Sequence, residues 1–262
     1  SWFGWLAVLA AETNSYNSCL SCHEDQTPPE TAAAGKEGSF ADRLTLSVHK
    51  TNTCTSCHLD ITPAHPDSNA AVQPANCTKC HVRQSESYRA GVHGLALARE
   101  QKGSATCADC HGAHNILPLG SPSSPLHPFQ QAKTCGACHE GEARDVEESV
   151  HGKAVAAGHL DAPACADCHA EHTVRAPGNR SSSQTSVEFC SRCHASERLN
   201  TKYNLPTDRV RTFFGSYHGL AIQNGSTRAA NCASCHGAHM ILPSTDPRSS
   251  IYKTNLSATC GK

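Results

Sequence analysis

Cysteine pairs with a histidine directly behind them dominate the chemistry open to this chain. The pattern Cys-x-x-Cys-His occurs eight times in 262 residues: Cys19–His23, Cys54–His58, Cys77–His81, Cys107–His111, Cys135–His139, Cys165–His169, Cys190–His194 and Cys232–His236. This is the attachment signature of c-type haem: two thiols add across the vinyl groups and the adjacent imidazole takes the iron. The pattern assigns Cys19, Cys22, Cys54, Cys57, Cys77, Cys80, Cys107, Cys110, Cys135, Cys138, Cys165, Cys168, Cys190, Cys193, Cys232 and Cys235 to covalent attachment of eight haem c groups. His23, His58, His81, His111, His139, His169, His194 and His236 become the proximal ligands.

Other uses of cysteine fit less well. Zinc sites pair Cys-x-x-Cys with a second Cys or His pair and need no His abutting each one. A disulfide scaffold needs no His, and 17 cysteines is an odd number. A thioredoxin-type dithiol occurs once, in a βαβ setting. The seventeenth thiol, Cys260, lies 24 residues after His236, as Cys135 lies 24 after His111, and both sit in Thr-Cys-Gly. Cys260 therefore reads as the first thiol of a ninth motif and a ninth haem in the full-length protein.

The composition explains why such groups would be needed. Hydrophobic residues make up 38 %, with only six Phe, five Tyr, two Trp and one Met. So little apolar volume cannot offset the conformational entropy of ordering this many residues. Eight flat macrocycles would supply the missing surface, giving a haem core wrapped by short helices and long loops. The formal charge is −1 and no basic run suggests nucleic acid. Haem propionates would make the holoprotein more acidic and favour cationic or Lys-ringed redox partners.

Elements that would position these groups recur as a two-haem unit. His93, His151 and His218 each stand 14 residues before the next motif, in Gly-Val-His-Gly, Ser-Val-His-Gly and Ser-Tyr-His-Gly. Ser47-Val48-His49 is a shorter version. Behind the first motif of each unit comes a further histidine: His65, His114, His172 or His239. After a lone motif at 19–23 the repeats run about 44–82, 85–140, 141–195 and 207–262, the last truncated. Helices are expected over Ser85–Lys102, Gly141–Gly158 and Thr207–Asn224, with Pro/Ser-rich loops at Thr62–Pro74, Leu117–Pro128 and Ala176–Ser186. Glycine after the histidine costs about 1 kcal/mol relative to Ala in a helix, tolerable where a haem face must approach the backbone. The expected fold is mainly α with extensive loops and little or no β.

His49, His65, His93, His114, His151, His172, His218 and His239 match the eight motif histidines in number, which points to bis-His ligation throughout. A histidine three residues after a motif His lies on the same helical turn and cannot reach the far face of its own haem. His114, His172 and His239 are therefore expected to serve neighbouring haems. His127 and His159 lack counterparts and read as non-ligands. Met240 is the one candidate for Met ligation, which would raise a potential.

The paired Ser-x-His-Gly and Cys-x-x-Cys-His-Gly-x-His motifs resemble those of the multihaem c-type cytochromes of bacterial respiratory chains, over residues 19–262. That resemblance implies an electron carrier of the periplasm or of an extracellular conduit. Its redox partners would be a quinol dehydrogenase, a terminal reductase or an outer-membrane conduit. Thr13–His23 behind an apolar start is similar to membrane-anchored quinol-oxidising cytochromes. The rival reading is a multihaem oxidoreductase acting on a nitrogen or sulfur oxyanion, which needs an open iron. Ser1–Ala11 reads as the tail of a secretory signal or part of an inner-membrane anchor, and eleven residues cannot span a bilayer alone. Residues 12–262 form the expected cytochrome domain.

Overall fold

The computed structural model describes residues 19–23, 39–62, 64–66, 72–175 and 182–261. The apolar start and most of the Thr62–Pro74 and Ala176–Ser186 stretches lie outside them. The chain is mainly helical, with 51 % helix, and no strand occurs among the described residues. No helix there is long and apolar enough to cross a membrane. Contacts divide the chain into two compact units. One comprises Ser1–Gln130 with His172–Val174, the other Gln131–Glu171 with Arg175–Lys262.

Motifs that open a repeat form helices of their own: Cys54–Cys57, Cys107–His111, Cys165–His169 and Cys232–His236. The residues between the cysteines help begin these helices. Asp109 Oδ2 accepts from Thr106 N and Oγ1, both at 2.7 Å, and Asp167 Oδ2 accepts from Ala164 N at 2.8 Å. Ser234 and Asn231 cap each other at 3.0 and 3.1 Å. An acceptor or donor at the third position thus satisfies amide groups that a helix start leaves orphaned. The chain then leaves the helix abruptly. Gly112 (φ 79°, ψ 179°) and Gly237 (φ 77°, ψ 179°) occupy a region nearly reserved for glycine, and Ala170 (φ 63°, ψ 177°) shares it. This corrects the expectation that His114, His172 and His239 share a helical turn with the motif His. The turn ends one residue behind it, and His114 itself has φ 61°.

The three expected long helices are each two short ones. They are Val82–Ala90 with Val92–Ala98, Glu140–Glu148 with Val150–Ala156, and Arg209–Phe214 with Tyr217–Gln223. Each break falls just before the x-His-Gly. At Ser149 (φ −70°, ψ 165°) the backbone turns extended, Oγ donates to Val146 O at 2.7 Å and accepts from Gly152 N at 3.1 Å. Ser216 repeats this with Phe213 O at 2.7 Å and Gly219 N at 3.2 Å. One hydroxyl thus ends a helix and begins the next. The glycine after each histidine also has a reason within the protein itself. A Cβ at Gly94, Gly152 or Gly219 would collide with the backbone carbonyl of Tyr88, Val146 or Phe213 in the preceding helix.

Two of these corners, and the shorter one at Ser47–His49, reach forward to a later part of the chain. Val48 N donates to Ile116 O at 2.8 Å, Val92 N to Val174 O at 2.8 Å, and Val150 N to Ile241 O at 2.9 Å. Each acceptor lies two residues past a His-x-x-His histidine. The segment expected as a loop at Leu117–Pro128 is a ladder of successive turns, with amides of Ser121, Ser124, His127 and Gln130 each bonded to the carbonyl three residues back. Asp246, Ser249, Tyr252 and Asn255 repeat it. Tyr252 thus stands where His127 stands, one ring replacing another, which is why His127 has no histidine counterpart.

Almost nothing apolar is buried. Ala164, Val187, Ile222 and Leu242 are the buried hydrophobic residues among those described, while Ser47, Ser124, Ser149, Asn200 and Ser249 are buried polar ones. Leu46, Leu119 and Leu160 are more than half exposed. A globular interior normally reverses this distribution.

Gly152→Ala is expected to destabilise the mature protein by about 2 kcal/mol or more, through overpacking against a backbone that cannot yield. Ala170→Gly is expected to stabilise it by about 1 kcal/mol, by relieving the left-handed strain. Denaturant unfolding followed by circular dichroism measures both.

Candidate functional site

All eighteen histidines lie within the described residues, and twelve of them stand in pairs. In the first unit His23 faces His65 (ring centres 6.2 Å apart), His49 faces His81 (5.8 Å), His58 faces His114 (6.1 Å) and His111 faces His172 (6.0 Å). In the second unit His151 faces His194 (6.1 Å) and His169 faces His239 (5.9 Å). Each pair joins one motif histidine to one non-motif histidine. His114 stands across from His58 rather than from His111 beside it, and His172 and His239 behave likewise.

Ordinary ring contacts span a range of separations, so the narrow spread of these six carries information. A nitrogen–metal bond of about 2 Å on each ring, with each ring centre about 1 Å behind its nitrogen, puts the centres about 6 Å apart. The pairs therefore fit two axial ligands on one iron. No group of three or more His, Cys, Asp or Glu side chains is placed to hold a bare metal ion, among the described residues. Two opposed imidazoles would leave room between them for a macrocycle, and the cysteine pair beside each motif His would supply its tethers. The residues present fit a haem.

Burial favours the form of histidine that binds metal. Desolvation pushes the pKa values of His114, His151, His169, His194 and His236 below the usual imidazole range. Neutral imidazole, with a free nitrogen lone pair, is the ligand. Phe40 packs edge-on against both His23 (5.9 Å) and His114 (4.7 Å), and the buried Arg43 lies close enough to His114 to help lower its pKa.

No disulfide joins any of the seventeen cysteines, and contacts among the thiols show which motifs are neighbours. Cys54 interacts with Cys19, Cys77 with Cys107, Cys165 with Cys135 and Cys190 with Cys232. These contacts join first thiols. The proton in the second of these pairs stays on Cys77, whose hydrogen bond pulls Cys107 down to about 6; Cys190 likewise brings Cys232 to about 7. Between those pairs the contacts involve a second thiol. Cys57 acts on Cys77, and Cys168 interacts with Cys190 and Cys193. Each unit therefore holds four motifs that are neighbours in chain order.

Four histidines of interest are not in these pairs. His93 opens its helix in the same position as His151, and His139 caps the helix Glu140–Glu148; both are engaged. His218 has only the Tyr217 ring beside it, and His236 faces no imidazole among the described residues. Of the two expected non-ligands, the buried His127 packs on Phe129 and His159 on Tyr203. Cys260 ends the helix Leu256–Cys260. Sequence reasoning missed Phe40, Arg43 and the corner serines. Ser149 and Ser216 carried a signal, their recurrence two residues before a histidine; Phe40 and Arg43 carried none.

No family model, curated protein or solved structure matches the chain.

His172→Met is expected to raise the potential of the haem at His111, and not that of the haem at His169 beside the substitution, with all eight haems retained. Potentiometric titration with haem-resolved NMR assignment measures it.

Proposed function

We propose that the chain is a multihaem c-type cytochrome that carries electrons along a row of closely spaced haems. The observation that carries this reading is the set of six imidazole pairs near 6 Å, each beside a Cys-x-x-Cys tether. Bound haem would supply one-electron exchange between ferric and ferrous iron. The chain's own groups then have separate tasks. The cysteines fix each macrocycle against the short motif helix. At the six paired sites the opposed histidines would hold an iron between them, which would keep small substrates off it there and, with no Met in those pairs, would set potentials low. The His-x-x-His histidines tie one repeat to the next, because each faces a motif His from an earlier repeat. Neighbouring motifs in chain order give an electron entering one end of a unit a path to the other without side-chain chemistry.

Haem c attachment takes place after export, which supports a periplasmic or extracellular location in a respiratory pathway. The acidic propionates favour cationic or Lys-ringed redox proteins, among them quinol dehydrogenases, terminal reductases and outer-membrane conduits. One observation favours a second reading, a multihaem oxidoreductase. His236 faces no imidazole among the described residues, so an iron there has room for a nitrogen or sulfur oxyanion.

Matured in a host competent for haem c, the chain should show the mass of the apoprotein plus eight haems, and six or fewer would overturn the proposal. The reduced protein should give no sustained turnover of nitrite, hydroxylamine or tetrathionate. Turnover at enzyme-like rates would replace the carrier by the oxidoreductase.

A further inference from the structure

In three repeats the corner and the first motif together hold one later stretch of chain. The corner at Ser47–His49 bonds Ile116 O through Val48 N, and His58 faces His114 two residues earlier. The corner at Gly91–Gly94 bonds Val174 O through Val92 N, and His111 faces His172. The corner at Ser149–Gly152 bonds Ile241 O through Val150 N, and His169 faces His239. The stretch held always reads His-x-Ile or His-x-Val, and its backbone and imidazole are gripped at once.

The fourth repeat is built the same way, and no described residue fills it. Ser216 makes the same two hydrogen bonds as Ser149, and His218 precedes Cys232 by the same 14 residues. Yet no carbonyl accepts from Tyr217 N among the described residues, and Tyr217 is 82 % exposed where Val150 is 38 %. His236 faces no imidazole there either, whereas His169 faces His239. The His194 ring near enough to act on it is already opposed to His151.

We propose that the Ser216–Gly219 corner and His236 form a docking site for a His-x-(Ile/Val) polypeptide stretch supplied from outside these 262 residues. The imidazole of that stretch takes the open side of the iron held by His236. The carbonyl two residues on accepts from Tyr217 N. The occupant is a further copy of the repeat, because only that stretch carries both groups at the spacing the three filled sites share. This inference rests on the haem reading given above.

The test uses the mature 262-residue chain. Carbon monoxide needs an open ferrous iron, so the reduced protein should bind one per eight haems. A synthetic peptide with the sequence of residues 112–118, Gly-Ala-His-Asn-Ile-Leu-Pro, should convert one ferric haem from high to low spin and block carbon monoxide. It should bind about tenfold or more tighter than free imidazole, since the backbone bond and the Ile side chain add to the ligand bond. The same peptide with Ala for His should do nothing. Tyr217→Pro removes the donor at a first helical position that accepts proline behind an extended residue. It should weaken the peptide about three- to tenfold and leave imidazole unchanged. Cys232→Ala with Cys235→Ala should leave seven haems and no carbon monoxide binding.

Eight haems with no carbon monoxide bound, or with more than one, overturns the docking site and leaves the carrier reading standing. So does a peptide no tighter than imidazole, or carbon monoxide binding that survives in the seven-haem variant. A chain that matures without haem defeats the carrier reading itself.

Discussion

Opposed imidazoles about 6 Å apart are the constraint on which the rest of this structure depends. Two imidazoles held across a gap of that size gain little from each other, and where burial desolvates them, as at His114 and His151, solvation is lost. The short helices and the left-handed exits behind the motifs have one shared geometric result. They bring a motif histidine and a distant histidine to opposite sides of one small space. Gly112 and Gly237 turn the chain out of the motif helix. Ser149 and Ser216 break the longer helices just where a histidine must point away from the helix that precedes it.

The distribution of side chains fits this account. Serine and asparagine are prominent among the buried residues, while Leu46, Leu119 and Leu160 lie exposed. Such a chain has little hydrophobic drive of its own. The buried serines serve the backbone. Ser124 and Ser249 sit in matching turn ladders, where their amides and hydroxyls replace the hydrogen bonds a longer helix would have made. Backbone satisfaction and ligand placement thus carry a fold in which apolar packing carries little.

Much of the candidate site was legible because its cysteines and histidines recur at fixed spacing. Cys-x-x-Cys-His admits few other readings when repeated eight times, and the recurrence of His114, His172 and His239 behind the motifs marks them out by itself. The elements between them were harder to read. Ser, Tyr, His and Gly at 216–219 are compatible with a helix that continues and with one that breaks. The choice is made by a hydroxyl bonding back to Phe213 and by the bulk a Cβ would add at Gly219. The ladder at 118–130 has no periodicity of apolar residues to announce it, so it reads as loop. The partner of each histidine was legible only as "another repeat". Which one follows from the forward reach of Val48, Val92 and Val150, backbone contacts that leave no trace in residue type.

That forward reach gives the chain the construction of roof shingles. Three of the four courses are each pinned under the edge of the one laid after, so none of those three can be lifted out alone. Stability in such arrays resides in the overlaps between neighbours more than in the units. A boundary drawn between two repeats always cuts a grip, at Val150 and Ile241 for example, together with a histidine pair, His169 and His239. Lengthening by whole courses preserves every overlap, whereas an insertion inside one displaces both of its pins. The overlap therefore makes repeat number the freest variable in this architecture and the spacing inside a repeat the least free.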